Sequence, residues 1–397
     1  MGNSQTIAYP PITFSGAWSM VKSANKVSVS QCVLLAAAVF AAGCGSSGTA
    51  YVGSSAREAR PTTQPVAARN AVQRTQPPGR PNIFGELRPQ DQRSGVSAGT
   101  VGMQQHTACD EGYDADVVAD PAGKWLAFSS TRHSERSRIY LQRVDGTSVI
   151  QLTADQGDDA QPAFSPDGKR IAFCSNRTGN WDIYVMDIEG RNVEQITRDP
   201  AHEMHPSFSP DGTRLVYCAL SPRAEQWELW VVNLNTHERK MIGPGLFPAW
   251  SPRKDVDRIA FQRPRQRGSR WFSVWTLDLV DGEPRRITEV AVSSNAAVVS
   301  PSWSPDGSKL AVATIIEPAS PQSGTAGRYD IWTINVDGGG RQRLTDGSAV
   351  YLSPFWSSDN RVYFISDRGG QENVWSMRVD VRGAPAQAPA AAVGRAE

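Results

Sequence analysis

Short apolar segments recur along the chain from about residue 100, and polar turn residues separate them. One kind follows a Ser-Pro-Asp-Gly turn, as in residues 169–174 and 214–218. Another kind places an aromatic residue between aliphatic ones, as in Ile183-Tyr184-Val185. β-branched and aromatic residues in such runs are typical of strands in a sheet that is buried on both faces. The pattern therefore predicts an all-β chain built from short strands.

The turn phrase itself returns at propeller-blade spacing. Clear copies are Pro162–Gly168, Pro206–Gly212 and Pro301–Gly307, weaker ones are Pro248–Pro252 and Pro354–Asp359, and a worn first copy is Ala119–Gly123. A repeat of about 40–45 residues is typical of β-propellers. Within the phrase, proline presets the first corner of a tight turn and glycine takes a left-handed exit. The sequence predicts a six-bladed β-propeller whose blades each contain four antiparallel strands, A to D in chain order.

The last repeat lacks a strand D, and the missing strand is found at the other end of the propeller. Residues 105–112 match residues 151–157 in residue type and in position relative to the repeat. We therefore expect Thr100–Thr107 to pair as the outer strand of the sixth blade, which closes the ring and protects its edges. The alternative is a disordered lead-in.

The N-terminal region predicts export. An apolar run, Val33–Cys44, follows Lys22 and Lys26, as in a secretory signal that begins at Met20. The run is too short for a comfortable membrane span. Ala41-Ala42-Gly43-Cys44 resembles the lipobox of bacterial lipoproteins, with alanine where leucine is usual, and this resemblance implies lipidation of Cys44. The alternative is an ordinary secretory peptide that is cut nearby.

Composition divides the rest of the chain. Residues 1–43 form the signal region, and residues 44–99 are rich in Ser, Pro, Gln, Ala and Arg without apolar periodicity, as in a disordered tether. The propeller takes residues 100–379, and residues 380–397 form an Ala/Pro-rich tail. The formal net charge of +1 gives no reason to expect nucleic-acid binding. Of five cysteines, Cys109, Cys174 and Cys218 lie in the propeller. Cys174 and Cys218 occupy the same slot in adjacent blades, too far apart to bridge, so we expect buried free thiols, with a disulfide as the alternative.

The phrase Pro-x-Phe-Ser-Pro-Asp-Gly, together with Asp182–Asp187 and the closing Ile/Leu-Thr, resembles the TolB-type propeller repeat over residues 100–379. TolB is a soluble periplasmic protein with an α/β domain before its propeller, and it binds the peptidoglycan-associated lipoprotein. Residues 44–99 cannot supply that domain, and Cys44 implies an anchor that TolB lacks. Together with the lipobox at Cys44, the resemblance implies a monomeric, non-catalytic protein-binding scaffold that is lipid-anchored to the outer membrane, with its propeller in the periplasm or at the cell surface. Its partners are then envelope proteins, the peptidoglycan-associated lipoprotein among them, and its only membrane contact is the lipid.

The B–C and D–A loops lie on one face of such a propeller and carry most of the length variation between repeats, as a working face does. Blade four inserts a basic segment between strands B and C. The candidate binding residues on this face are Arg263, Arg265, Arg267, Arg270, His202, His205, Arg132, Arg177 and Arg368. For the last three, which share one repeated slot facing acidic D–A loops, a brace between blades is the preferred interpretation. A solvated mobile loop is the alternative for the basic insert.

No catalytic motif is present: the chain lacks a Gly-x-Ser-x-Gly elbow, a phosphate loop and a metal-binding His/Cys cluster. We therefore predict no catalytic residue, no cofactor and no metal site. The alternatives are a glycan-binding module and a propeller-only glycan-active enzyme, because oligogalacturonate lyases resemble this repeat set and use loop histidines around a metal. That enzyme requires several of the five histidines to converge on one mouth of the channel, where His133, His202 and His205 share a side.

Overall fold

The computed structural model describes residues 102–221, 226–264, 272–293, 296–316 and 327–379. In these residues the chain forms six separate four-stranded antiparallel sheets, as predicted. Blade 1 contains β2 (Asp114–Ala119), β3 (Trp125–Ser130), β4 (Arg138–Arg143) and β5 (Val149–Gln151), and β1 (Gln104–Gln105) precedes it. Blade 2 contains β6 (Asp159–Phe164), β7 (Arg170–Ser175), β8 (Asp182–Asp187) and β9 (Glu194–Gln195). Blade 3 contains β10 (Glu203–Phe208), β11 (Arg214–Leu220), β12 (Trp227–Asn233) and β13 (Arg239–Pro244).

The remaining blades follow the same order. Blade 4 contains β14 (Leu246–Trp250), β15 (Arg258–Pro264), β16 (Phe272–Val280) and β17 (Glu283–Ala291). Blade 5 contains β18 (Ala297–Trp303), β19 (Lys309–Ile316), β20 (Arg328–Asn335) and β21 (Gln342–Arg343). Blade 6 contains β22 (Tyr351–Trp356), β23 (Arg361–Ser366) and β24 (Asn373–Arg378). The first strands of all six blades contact one another in a ring and so surround the axis.

The core lies between neighbouring blades. Strand B of each blade is flanked by strands A and C, and its aromatic residues are fully buried, for example Phe128, Phe173, Phe261 and Phe364. Burying such a side chain contributes roughly 1.5–3 kcal/mol relative to leaving it exposed. Because each inter-blade layer receives residues from two sheets, the repeated apolar positions stabilise the ring as a whole.

The A–B turns form as the repeated phrase predicts. Gly168 has a φ of 69°, in the left-handed region that glycine adopts without strain. Ser165 Oγ accepts the N–H of Arg170 across the turn at 2.9 Å. In the worn first copy, Asp120 takes the place of this serine, and its Oδ1 accepts the N–H of Trp125 at 2.7 Å. Two different side chains therefore close the same turn.

The ring closes as predicted. β1 pairs with β24, with Gln104 opposite Ser376 and Gln105 opposite Trp375. Thr107 Oγ1 then accepts the N–H of Val374 at 2.8 Å. The Leu/Ile-Thr ends of three other blades do the same: Thr153, Thr197 and Thr345 accept the N–H of Ile139, Ile183 and Ile331. The N-terminal segment therefore reproduces the strand-D end that blade 6 lacks, although Thr100 and Val101 lie outside the described residues.

His106 and Gln142 extend this closure to the next blade. His106 Nε2 shares a hydrogen bond with Ser376 Oγ at 2.8 Å, and Gln142 Nε2 of blade 1 donates to the His106 carbonyl at 2.7 Å. His106 is buried, and its desolvation lowers its pKa. The first and last blades are thus joined by side chains as well as by the ladder.

Other sequence predictions fall outside the described residues. They are the signal region 1–43, Cys44, the tether 44–99 and the tail 380–397. In the part of the chain that is described, we find no helix of the length and apolar character that crossing a membrane requires.

Candidate functional site

Each strand A contains a bulge at the same position, and one residue there has a left-handed backbone. The six are Asp116, Gln161, His205, Phe247, Ser300 and Ser353, with φ between 49° and 57°. A bulge adds one residue on one strand and turns its side chain away from the regular alternation. Here the register shifts by this extra residue in all six blades. We call these six residues the bulge ring.

The bulge ring lines one end of an axial channel. The channel encloses a cavity of about 560 Å³, within the range of ligand-binding pockets. Strand A runs from the bulge to the A–B turn, so the A–B turns form the rim at the other end. The rim residues are Pro121, Pro166, Pro210, Pro252, Pro305 and Ser358, one from each blade, with Lys254 beside them. The described lining therefore extends towards the face opposite to the B–C and D–A loops, where the sequence placed the candidate binding residues.

Bonds between blades fix the backbone of the bulge ring. The N–H of Gln161 donates to Ser129 Oγ of blade 1 at 3.1 Å. The N–H of Ser300 donates to Gln262 Oε1 of blade 4 at 3.0 Å. The bulge releases this N–H from its own ladder, and a side chain of the preceding blade accepts it. For His205 the acceptor is Gln161 Oε1 of blade 2, at 2.9 Å. Because neighbouring blades hold one another in this way, the channel wall is preorganised.

The side chains from blades 1 to 3 make the wall of the channel polar. Ser129 Oγ donates to Asp116 Oδ2 at 3.1 Å, and the Gln161 amide donates to His205 Nε2 at 2.9 Å. Burial lowers the pKa of His205 to about 3, so its ring is neutral at pH 7 and accepts at Nε2. Burial raises the pKa of Asp116, and bonds from Ser129 and the Gln161 N–H act in the opposite direction.

The opposite wall of the channel is apolar or small. Blade 4 contributes Phe247, whose ring centroid lies 3.7 Å from that of His205. Blades 5 and 6 contribute Ser300 and Ser353, and Phe355 stands nearer the rim. The bulge ring thus has its two titratable residues, Asp116 and His205, in one half and none in the other.

Arg132 and Arg177 bind acidic partners, but chiefly within their own blades. Arg132 Nη2 donates to both carboxylate oxygens of Asp114, the first residue of its own sheet, at 2.8 and 2.9 Å. Arg177 pairs with Asp159 in the same blade at 3.0 Å and with Asp155 in the connection from blade 1 at 2.6 Å. The expected brace between blades is therefore wrong for Arg132, because Asp114 belongs to the same blade and pairs with Ser130, two residues before Arg132. A residue not singled out from the sequence, Arg138, reaches from blade 1 to the Gly157 carbonyl at the entry to blade 2.

The other candidate arginines have different surroundings. Arg368 donates to Met103 Sδ at 3.0 Å, and Tyr351 occupies the strand position that an aspartate fills in blades 1 and 2. Arg263 donates to the Pro244 carbonyl at 2.9 Å and lies over the ring of Trp275 at 5.3 Å. Arg265, Arg267 and Arg270 lie outside the described residues. A binding role for these arginines stays a prediction.

The histidines do not converge. His205 lies on strand β10 and lines the channel, whereas the sequence placed it in a D–A loop. His202 Nδ1 instead accepts the N–H of Trp181 at 3.2 Å, on the side of blade 2. His133 contacts Tyr140, and His237 lies in the C–D turn, as expected, 3.8 Å from Glu194. No group of three or more His, Cys, Asp or Glu in metal-binding arrangement occurs in the described ranges.

The propeller cysteines are free thiols, as predicted. Cys109, Cys174 and Cys218 are all buried and unbridged. Burial raises the pKa of Cys174 and Cys218, the latter to about 12. A thiol with a raised pKa is a poor nucleophile. Their role is therefore packing behind the channel wall, where Cys174 Sγ donates to Gln161 Oε1 at 3.2 Å.

Two buried carboxyl groups meet between blades 2 and 3. Asp182 accepts hydrogen bonds from Thr178 Oγ1 at 2.7 Å, Gln195 Nε2 at 3.1 Å and Asn180 Nδ2 at 3.2 Å. Glu203 hydrogen-bonds to the same carboxylate, and its own side chain is buried. Burial, followed by the bond to Asp182, raises the pKa of Glu203 to about 9. The Glu203 carboxyl group is therefore protonated at neutral pH, beside the Asp182 carboxylate.

Sequence reasoning missed both the bulge ring and this acid pair. A signal for the ring was present, since a proline follows the bulge residue in five blades, at Pro162, Pro206, Pro248, Pro301 and Pro354. The acid pair is visible only by aligning blades. Asp182 begins strand C where blade 1 has Arg138, and Glu203 begins strand A where blade 2 has Asp159.

Comparisons with known proteins agree with this architecture. The chain matches the TolB beta propeller domain family over residues 102–243, 180–322 and 243–388. The uncharacterized protein Atu1656 of Agrobacterium fabrum is 31% identical over 109 residues, which cover 27% of this chain and 32% of that protein. The match thus spans about a third of that relative's length.

Two solved structures are similar to this chain at low identity. A putative TolB from Agrobacterium tumefaciens is 20% identical with a TM-score of 0.48, covering 59% of this chain and 81% of that one. An oligogalacturonate lyase from Vibrio parahaemolyticus is 16% identical with a TM-score of 0.50, covering 70% and 93%. Similarity at this level concerns the fold alone.

Proposed function

The chain belongs to the TolB beta propeller family, and from that premise we propose that it is a non-catalytic scaffold that binds a segment of a partner protein at the rim of its axial channel. The observation that carries the proposal is the preformed cavity of about 560 Å³ with its proline-lined rim. Proline has a fixed φ, so a rim of prolines loses little conformational freedom on binding.

The rim also has the chemistry of a protein-binding surface. Pro166, Pro252 and Pro305 are exposed, and apolar rings of Phe247 and Phe355 stand behind them in the channel. An apolar centre surrounded by polar turns is the usual anatomy of a recognition site. The polar groups of the inner channel then fix orientation, as a few placed polar groups do in binding pockets.

The proposal places this scaffold in the cell envelope. Cys44 carries the lipid anchor in the outer membrane, and residues 44–99 tether the propeller in the periplasm with a mean reach of about 40 Å. The partners are envelope proteins, with the peptidoglycan-associated lipoprotein as the first to examine. The propeller acts as a monomer, because its own ring is closed by β1.

A propeller-only lyase is the alternative function. It requires histidines around a metal, whereas His205 is the one histidine among the described channel-lining residues. Release of unsaturated products from pectic oligomers by the purified propeller, with stoichiometric bound metal, would replace the scaffold proposal.

Crosslinking and capture from native envelopes test the scaffold. Lys254→Glu reverses an exposed charge at the rim, and Arg136→Glu makes the same charge change in an exposed B–C loop on the opposite face. We expect Lys254→Glu to lower capture of the partner at least tenfold and Arg136→Glu to leave it unchanged. Equal capture by both variants contradicts a rim site. In the same cells, Cys44→Ser should move the protein from the membrane fraction to the soluble periplasmic fraction.

A further inference from the structure

Asp116 is a carboxylate without a cationic partner among the described residues. It lines the channel on blade 1, where Ser129 donates to its Oδ2 at 3.1 Å and the N–H of Gln161 also binds it. These neutral donors orient the carboxylate but do not neutralise its charge. Asp114 and Asp159, which lie nearby in the fold, each have an arginine within 3.0 Å.

Other charged groups of the described channel lining are either occupied or distant. Asp120 accepts the N–H groups of Lys124 and Trp125 at 2.6 and 2.7 Å, so its carboxylate is used in closing the A–B turn. His205 is neutral at pH 7 because of its burial. Lys254 is exposed at the rim, where water and salt screen it. The interior of the described channel lining therefore has one acidic group without a cationic partner, at Asp116.

The position of Asp116 constrains what reaches it. Asp116 precedes the turn residue Asp120 by four positions along the strand. At about 3.3 Å per residue, the carboxylate lies roughly 13 Å below the rim. A side chain from a surface resting on the rim cannot span that depth, whereas about four residues of extended chain can. Ser300 and Ser353, on the two blades that precede blade 1 around the ring, have small side chains and leave room beside Asp116. Phe247, on the blade that faces blade 1, offers an aromatic ring to a cation.

We propose that the channel receives an extended segment of a partner protein that carries a lysine or arginine side chain, with Asp116 as its counter-ion. This inference rests on the proposed function and specifies the chemistry of the partner. The cation offsets the loss of hydration that the half-buried Asp116 carboxylate undergoes in the channel. The apolar rings of Phe247 and Phe355 cover the aliphatic part of the lysine or arginine side chain.

Blocked pentapeptides test the inference by isothermal titration calorimetry with the purified protein. The peptides are identical except for a central lysine, arginine, norleucine or glutamate, and putrescine serves as a small-amine probe. We expect the lysine and arginine peptides to bind at least tenfold more tightly than the norleucine peptide. Asp116→Asn should abolish the difference, since asparagine tolerates the left-handed backbone and still accepts from Ser129. Asp145→Asn, which changes an exposed aspartate of a C–D turn, is the matched control and should change nothing.

A charge-relocation variant separates the electrostatic effect from damage to the site. Ser353→Asp occupies an equivalent bulge with a φ of 50°, and in the Asp116→Asn background it should restore the preference for the basic peptides. Equal affinity of the lysine and norleucine peptides for the wild type, an unchanged preference in Asp116→Asn, or tighter binding of putrescine than of every peptide overturns the inference. These results leave the proposed rim site untouched, because the Lys254→Glu and Arg136→Glu variants test it separately.

Discussion

Replacing Glu203 with glutamine is expected to stabilise the propeller at neutral and alkaline pH. Glu203 is buried between blades 2 and 3, and its pKa of about 9 means that the folded chain keeps its proton at pH 7. The unfolded chain releases this proton near pH 4.5. Folding at neutral pH therefore requires uptake of a proton, and glutamine, which has a similar shape and no charge, removes that requirement.

The magnitude follows from proton linkage. Below pH 4.5 Glu203 is protonated in both states and does not affect the free energy of unfolding. Between pH 4.5 and about 9 only the folded state holds the proton, so the free energy of unfolding falls by about 1.4 kcal/mol per pH unit. At pH 7 the accumulated loss is about 3 kcal/mol. The glutamine variant should exceed the wild type by about that amount at pH 7 and by more at pH 8.

Denaturant unfolding followed by tryptophan fluorescence at pH 5, 7 and 8 measures the effect. The two curves should nearly coincide at pH 5 and separate as the pH rises. Glu238→Gln, an exposed residue of the adjacent C–D turn, is the control and should follow the wild type at every pH. If Glu203→Gln ran parallel to the wild type, or were less stable at pH 8, a protonated Glu203 in the folded chain would be refuted.

Two further changes examine the ring closure and the channel. Thr107→Val removes the acceptor of the buried Val374 N–H and should lower the free energy of unfolding by about 1–3 kcal/mol. Thr288→Val, which changes an exposed hydroxyl in blade 4, should stay within about 0.5 kcal/mol of the wild type in the same denaturation assay. His205→Gln should flatten the acid dependence of stability. The His205 pKa of about 3 in the folded state, against 6.5 unfolded, costs the wild type about 3 kcal/mol by pH 4.5. His237→Gln is the exposed control, and equal acid slopes for the two variants contradict a neutral His205.

The sequence predicted the blades because the repeated positions have local causes. A Pro-Asp-Gly corner, a β-branched strand or a Thr at the end of strand D acts within a few residues, and its effect is visible in one repeat. The ring closure was predictable for the same reason, since the sequence around Thr107 resembles the sequence around Thr153. The partners of Arg132 and the side of the channel on which the cavity opens depend on which strands become neighbours. These features are set by tertiary contacts, which no single repeat of the sequence shows.

The bulge ring shows why the sequence repeat did not reveal the positions that line the channel. Its backbone is specified by the fold, because the bulge recurs in all six blades and the N–H groups of Gln161, His205 and Ser300 donate to the preceding blade. Its side chains are not specified, and six different blades supply Asp, Gln, His, Phe, Ser and Ser at the same φ. Phe247 is a bulky residue in a left-handed conformation, which costs roughly 1–2 kcal/mol and persists only where the surroundings hold it. A position with a fixed backbone and an unconstrained side chain allows the lining of the channel to change without disturbing the blades. For this reason, chemistry in a propeller of this kind is best sought where the repeats disagree.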